Sequence, residues 1–413
     1  MSPAAVRDLL FDGPCCDVDP YKIGSTLRQA WKEHCVNGSE DAQMRVCTHN
    51  LLMVCSRPEN AANLAKNLRE LATLYPGRWV VVVLDPDDQG PIRGWYRIES
   101  LTNRPGRLSG EVVVLHAPGD PGSSLHSLLT PVWQDGVPVF LWWLGQPPYK
   151  ADWFETLVET STRVIVDSGG FSSSSSSADE VARLLEGLAR FVYDRYHQDQ
   201  TFSDLTWGRL IVWREWVASL FDQPAHRELL HRFQQVRIDC WAHQGQPSIS
   251  LLGLYTAGWL AHLLRWTVEE PLRPDGAEFV CKMRSNGNTF DVRFGSPPCE
   301  IEDLQRRLVC VSFEGKTQGG KDFHLSVERT VDQVFTLTRR CVVEGPPLRG
   351  AEGGVSDGDE DTTHSMQHAR LTSKELVGQQ LETYGHDRVF EGALSATLAI
   401  VGLQVPVLAG SGR

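Results

Sequence analysis

Apolar positions change their spacing along this chain, and the changes divide it. From residue 45 short apolar runs alternate with helical spacing. Residues 45–56 read as a strand, 60–75 place Leu64, Leu68 and Leu71 on one helix face, and 79–84 form an apolar run ending at Asp85-Pro86. Further strands are predicted at 94–101, 110–116, 137–144 and 163–166, with helices at 124–133 and 178–193. Uninterrupted apolar strands interleaved with helices predict an α/β domain with a mostly buried mixed sheet over 41–198. Beyond it, helices at 204–221 and 249–266 stand apart from antiparallel-looking strands at 278–284, 289–294, 308–313 and 323–328. That grouping predicts an α+β domain over 199–413. Residues 1–40 predict a partly flexible arm with one helix at 21–34. The serine run 172–177 reads as a solvated loop, and 344–363 as an acidic, Gly-rich one. A last helix spans 374–401, broken or bent near Gly385. The apolar stretch 393–409 is interrupted by Gln404 and Pro406 and is too short to span a bilayer, so a soluble, cytoplasmic chain is expected.

Composition narrows the function classes. With 40 Lys+Arg against 52 Asp+Glu the net charge is −12, which argues against a general nucleic-acid binder. Thirteen tryptophans require an explanation in core packing, ligand contact or a protein interface. The ten cysteines form no C-x-x-C pair and no zinc-ribbon spacing. Cys47, Cys55 and Cys310 lie in or beside apolar strands and read as small buried thiols. Cys15 and Cys16, in a polar Pro-flanked segment, are the candidate redox pair; Cys281, Cys299 and Cys341 are the alternatives.

Catalytic signatures are missing. No phosphate loop is completed at Gly319-Gly320-Lys321 or Gly353-Gly354, and neither H-E-x-x-H nor G-x-S-x-G occurs. Asp85, Asp87 and Asp88 follow a strand, where a turn is the commoner explanation than metal or sugar ligands. The loop from Gly119 to Ser124 joins strand to helix and reads either as an anion-binding turn or as a plain serine-capped one. No catalytic residue, cofactor or metal is expected.

The segment 203–222 carries the most information. As one helix it confines Asp204, Gly208, Glu215, Ser219 and Asp222 to a narrow stripe and is apolar elsewhere, which suits burial on several sides or a second face awaiting a partner. Arg209 and Arg214 sit within that apolar surface with no carboxylate three or four residues away. Each guanidinium therefore needs an anion from elsewhere in the fold, from a ligand such as phosphate, or from another chain. Trp207, Arg209, Trp213, Arg214 and Trp216 are the candidate partner-binding residues. The 249–266 helix, with Gly253 and Gly258 permitting close approach, is the expected packing mate.

The run Asp204-Leu205-Thr206-Trp207-x-Arg209-Leu210-x-x-Trp213-Arg214-Glu215, with Phe221-Asp222 after it, resembles the signature of the OpcA glucose-6-phosphate dehydrogenase assembly proteins. Three segments agree in the same order: Val137-Pro138-Val139-Phe140-Leu141-Trp142-Trp143, Arg163-Val164-Ile165-Val166-Asp167-Ser168, and Gly258-Trp259-Leu260-Ala261 with Trp266. The similarity covers roughly residues 45–340, and the length and many cysteines look more like the cyanobacterial members. The resemblance implies a protein that is not an enzyme. It implies an assembly factor and allosteric activator that binds glucose-6-phosphate dehydrogenase and promotes its active oligomer in the oxidative pentose phosphate pathway. It also implies redox control through thioredoxin acting on cysteines; it does not say which. The readings left beside it are a sugar-phosphate enzyme and a metabolite-sensing scaffold.

Overall fold

Strand-forming runs of Val, Leu and Ile meet here in two sheets. The structure is a computed structural model and describes residues 1–11, 13–36, 44–45, 47–101, 108–122, 124–171, 178–194, 200–242, 248–301, 306–330, 336–343, 362–367, 371–383 and 385–404. The first sheet contains β1 (Cys16–Val18), β2 (Met44–Arg45), β3 (Asn50–Cys55), β4 (Arg78–Asp85), β5 (Arg93–Leu101), β6 (Leu108–Pro118), β7 (Val139–Leu144), β8 (Arg163–Val166) and β9 (Thr201–Asp204). Their order is β1-β5-β6-β4-β3-β7-β8-β9, with β2 beside β6. The run from β6 to β9 is parallel throughout, while β1 and β5 add antiparallel. Numbered along the chain, the six parallel strands β3, β4, β6, β7, β8 and β9 lie in the order 3-2-1-4-5-6 of doubly wound α/β sheets. Every residue of β3, β4 and β8 is buried, which is why these strands read as unbroken apolar runs.

The expected N-terminal arm is instead part of this unit. Val6, Leu10, Phe11, Ile23, Leu27 and Trp31 are buried, and β1 pairs with β5. Apolar side chains at helical spacing need a surface to cover, and the helices Pro3–Leu10 and Ile23–Val36 supply them to the same core. Trp31 Nε1 donates to Glu111 Oε1, and Arg78 donates from Nε to Glu111 Oε2 and from Nη1 to the Val132 carbonyl. Arg78 and Glu111 are both buried, so each supplies the charge that makes the other tolerable away from water.

The second sheet contains β10 (Phe233–Cys240), β11 (Thr267–Asp275), β12 (Glu278–Ser285), β13 (Asn288–Gly295), β14 (Leu308–Lys316), β15 (Asp322–Thr330), β16 (Thr336–Val343) and β17 (Thr362–Gln367), in the order β11-β12-β13-β10-β14-β15-β16-β17. All its pairings are antiparallel except β10 with β13. One face carries Val236, Ile238, Val292, Phe294, Val311, Phe313, Leu325 and Val327, all buried; the other carries Arg237, Asp239, Asp291, Arg293 and Glu314. Helix Leu251–Leu264 is covered on nearly every side, and its principal neighbour is the helix Arg388–Ile400 rather than the 203–222 segment. Gly258 makes this possible, since a Cβ there would lie 2.1 Å from Thr397 Oγ1 and 2.4 Å from the Ala393 carbonyl.

The chain exchanges segments between two compact units rather than dividing near residue 198. One comprises Met1–Phe171, Arg195–Leu205 and Thr372–His386; the other comprises Ser172–Asp194, Thr206–Leu371 and Asp387–Arg413. Local hydrogen bonds explain the exchange. Tyr193 Oη donates to the Glu391 carbonyl at 2.8 Å, tying helix Ala178–Asp194 into the second unit. Arg163 donates to Ser203 Oγ (2.6 Å), Gln380 Oε1 (3.1 Å) and the Gly385 carbonyl (2.9 Å), tying the Ser373–Glu382 helix into the first. The interruption expected near Gly385 is a full break: Gly385 has φ +83°, and Asp387 caps a new helix. The serine run, residues 344–361 of the acidic loop and residues from 405 onward lie outside the described residues. Residues 362–367, counted with or beside that loop, form strand β17. Among the described residues no helix is long and apolar enough to cross a membrane.

Replacing Glu111 by Ala leaves the Arg78 guanidinium buried without its carboxylate. Urea denaturation of this variant is expected to show a loss of about 3–5 kcal/mol, whereas a loss near zero would mean that Arg78 does not depend on Glu111.

Candidate partner-docking site

Segment 203–222 is not one helix. Leu205–Gly208 makes a single turn, Arg209 and Leu210 form a break, and the chain resumes helix at Ile211–Ser219. Gly208 at the break is a poor helix former, and no side chain caps the second helix. The two pieces are separate helical segments joined by a turn, so the continuous helix expected over 204–221 is not formed. The narrow polar stripe expected for residues 204–222 therefore does not exist as such.

Trp207 is 5% exposed and packs against Tyr255 and Phe390, with ring centroids 6.5 and 5.5 Å away. Its Nε1 donates to Asp387 Oδ2 at 2.8 Å, while Asp387 Oδ1 accepts from the Phe390 amide at 2.9 Å and so caps helix Arg388–Ile400. The Arg214 guanidinium lies 3.9 Å from the Trp207 ring centroid. Burial pushes its pKa below the usual arginine value, and the nearby charges of Asp387 and Glu215 act against that shift. Among the described residues no hydrogen-bond partner meets the buried Arg214 Nε. Its charge is thus met by an indole face and by carboxylates nearby rather than by a bonded acid, an arrangement that suits guanidinium better than ammonium. Arg209 is half-buried and engaged by its surroundings.

The remaining candidates separate by depth. Trp213 is 3% exposed and carries the Arg329 guanidinium 5.3 Å over its ring. Trp213 and Val217 form the inward side of helix Ile211–Ser219, whose C-terminal end is held by Arg339 Nη1 donating to the Ser219 carbonyl (2.9 Å) and Oγ (3.0 Å). Ile211, Glu215 and Ala218 are exposed, and Val212, Arg214, Trp216 and Ser219 are half-buried. Eleven of the thirteen tryptophans are buried; only Trp133 and Trp216 are half-buried. Trp207 and Trp213 therefore support the site from beneath. The groups that it presents are Ile211, Val212, Arg214, Trp216 and Ala218, with Glu215 among them. Asp387 was missed by sequence reasoning. Its signal was a helix-capping Asp just after Gly385, a start-of-helix pattern inside what read as one helix.

The other motifs close on themselves. Asp85 Oδ1 accepts from the Asp87 amide (3.1 Å) and Asp88 Oδ1 from the Gly90 amide (2.7 Å), while fully buried His116 lies 3.4 Å from Asp85 Oδ2 and 3.3 Å from Asp88 Oδ2. Burial raises the Asp85 pKa, but the Asp87 amide, the chain's amino group and His116 outweigh it, and the net direction is downward. In the 119–124 loop Asp120 Oδ1 accepts from the Gly122 amide (3.1 Å) and Ser124 Oγ donates to the Pro121 carbonyl, the geometry of a plain turn. Among the described residues no group of His, Cys, Asp or Glu is arranged to hold a metal ion. Cys16 is exposed and Cys15 half-buried, the latter with its thiol pushed up by burial. Cys281 and Cys341 are buried and Cys299 is half-buried. Burial pushes the thiols of Cys55, Cys240, Cys281 and Cys310 up to about 12.

Fold and site together define a two-unit α/β protein with a helix that buries Trp213 and Val217 and presents Trp216 and Arg214 among apolar residues on its outward side. Residues 200–394 match the family of C-terminal domains of the glucose-6-phosphate dehydrogenase subunit, and residues 68–183 the family of its N-terminal domains. Three curated cyanobacterial relatives, each named putative OxPP cycle protein OpcA, are similar. The protein of Synechocystis sp. is 22% identical over 297 residues, covering 71% of this chain and 56% of the relative. That of Nostoc punctiforme is 26% identical over 276 residues (65% and 52%), and that of Synechococcus elongatus 26% over 280 residues (66% and 55%). The matches thus span about half the length of these relatives. The chain belongs to the OpcA family of glucose-6-phosphate dehydrogenase assembly proteins.

Asp387→Ala removes both a helix cap and the acceptor for Trp207. Denaturant melts are expected to show a loss of about 1–2 kcal/mol. The same substitution in a Trp207→Phe background should cost less, because the bond is already gone. Equal losses in the two backgrounds would mean that the indole–carboxylate bond contributes nothing.

Proposed function

We propose that this protein binds glucose-6-phosphate dehydrogenase through the outward face of helix Ile211–Ser219 and acts on it as a non-catalytic assembly factor and allosteric activator. The observation that carries the reading is Trp216. In a protein that buries nearly all its indoles, this one is half-exposed beside Ile211, Val212 and a desolvated Arg214. Trp and Arg are the residues enriched at interface hot spots. Family membership names the partner class.

A binding role also suits the first unit. Nucleotide-binding sheets of this strand order use a glycine-rich turn after the first strand and a downstream acid for the ribose. Here the turn is Ser56-Arg57-Pro58-Glu59-Asn60, without glycine, and Ser56 Oγ donates to the Leu144 carbonyl at 3.0 Å. Asp85, which ends the second parallel strand, is turned to His116. Activation follows if the bound face matches the active dehydrogenase oligomer better than its inactive forms, since a ligand shifts an equilibrium only by differential affinity.

The test is co-elution of the purified proteins together with the dehydrogenase's apparent KM. The wild-type chain should co-elute and lower KM. Trp216→Asp should weaken binding by about 30-fold or more, the scale of a hot spot of about 2 kcal/mol, with an unchanged melting curve. No co-elution and unaltered kinetics, or wild-type binding by Trp216→Asp, would overturn the proposal.

Thioredoxin-linked control in the cytoplasm is part of the same reading, with Cys15 and Cys16 as the switch. Exposed Cys16 is the accessible thiol, and thiol–disulfide exchange requires access. The double variant Cys15→Ser/Cys16→Ser should bind the dehydrogenase normally and lose its response to thioredoxin; a retained response would move the switch to other cysteines.

A further inference from the structure

The two edges of the second sheet are built differently. Edge strand β11 carries Glu269, Glu270, Arg273 and Asp275, is interrupted by Pro271 and Pro274, and shifts register between Val268 and Glu270 and again between Glu270 and Arg273. Those are the devices by which sheets prevent another strand from adding to an edge. The opposite edge, β17, has none of them. Its sequence Thr362-Thr363-His364-Ser365-Met366-Gln367 contains no Asp, Glu, Lys, Arg, Pro or Gly, and it pairs with β16 in unbroken register from Thr336↔Gln367 to Cys341↔Thr362. Thr363 to Gln367 are all exposed, Met366 at 37%. Among the described residues no strand lies on its outer side.

We propose that β17 is a homodimerisation edge, pairing antiparallel with β17 of a second copy so that the two sheets become continuous. Two-fold symmetry selects this occupant. An isologous antiparallel pair sets each side chain against a symmetry equivalent of the same strand, so any single-sign charge would face its own kind. Edge β11, with its charged side chains, two prolines and two register shifts, does not suit such a pair. β17 is free of such repulsion, and its main-chain donors and acceptors supply sequence-independent hydrogen bonds to a like strand. Thr363, Ser365 and Gln367 share one face, where Ser365 Oγ lies 3.1 Å from Thr338 Oγ1, and His364 and Met366 share the other. The pair would thus be polar on one side and would cover the exposed thioether on the other.

The test uses the full chain and the variant Ser365→Lys/Gln367→Lys, whose β16 partners Thr338 and Thr336 are neutral. Light scattering after gel filtration is expected to give the wild type the mass of two chains at micromolar concentration, falling toward one on dilution. The variant should have the mass of one chain and an unchanged melting curve. Hydrogen exchange at residues 362–367 should slow as wild-type concentration rises. A monomeric wild type, a variant as dimeric as the wild type, or concentration-independent exchange in β17 would each overturn the proposal. Loss of dehydrogenase co-elution by the variant, with no change in the isolated chain's mass, would reassign the edge to a strand of the partner. Dehydrogenase binding through Ile211–Ser219 stands or falls separately, on Trp216.

Discussion

A guanidinium partly removed from water, and without a bonded carboxylate among the described residues, is stabilised by a compensating surface, and Trp207 provides it. The indole is fixed on one side by Tyr255 and Phe390 and at its Nε1 by Asp387, so its face is held flat beneath Arg214. The same Asp387 opens helix Arg388–Ile400, which packs on Leu251–Leu264 through Gly258. One carboxylate therefore ties the indole that Arg214 stacks on to the start of the helix that packs against Leu251–Leu264. The outward groups are positioned by a rigid core, which lowers the ordering entropy of any interface they make.

This explains why so many aromatic residues gather around a surface of modest size. Trp207 and Trp213 are buried under the outward residues of the site, and Phe221, Phe233, Phe313, Phe290 and Trp266 form a further aromatic cluster in the same unit. Fold and function part company in the first unit. Its sheet has the strand order of dinucleotide-binding proteins, yet the turn that would approach a pyrophosphate is occupied by Pro58 and closed by Ser56, and the downstream acid faces histidine. Strand order constrains where a ligand could bind; the local residues decide whether one does.

Much of this was legible in the chain. Unbroken apolar runs located β3, β4, β7 and β8, and helical spacing located Ala61–Leu74 and Leu251–Leu264, because burial on all sides writes itself into every residue. Strand β10 was missed although it sits near the middle of its sheet: Gln235, Arg237 and Asp239 line its polar face and break the apolar run. The N-terminal helices were under-read because each contributes only a few apolar residues to a core formed mainly by others. Arg214 was singled out for having no carboxylate three or four residues away; the larger of the two carboxylate charges acting on it belongs to Asp387, 173 residues on and beyond any spacing rule, and the smaller to adjacent Glu215. The break after Gly208 had the opposite effect: it divided a pattern that sequence treated as continuous, and so placed Trp207 on a different segment from Trp213 and Trp216.

Docking through helix Ile211–Ser219 is most directly tested by hydrogen exchange on the chain alone and mixed with saturating glucose-6-phosphate dehydrogenase. Side-chain coverage of the outward face should slow amide exchange across 211–219, while the already buried Leu251–Leu264 helix remains as it was. Unchanged exchange at 211–219 in a complex that demonstrably forms, with new protection confined to other segments, would contradict it.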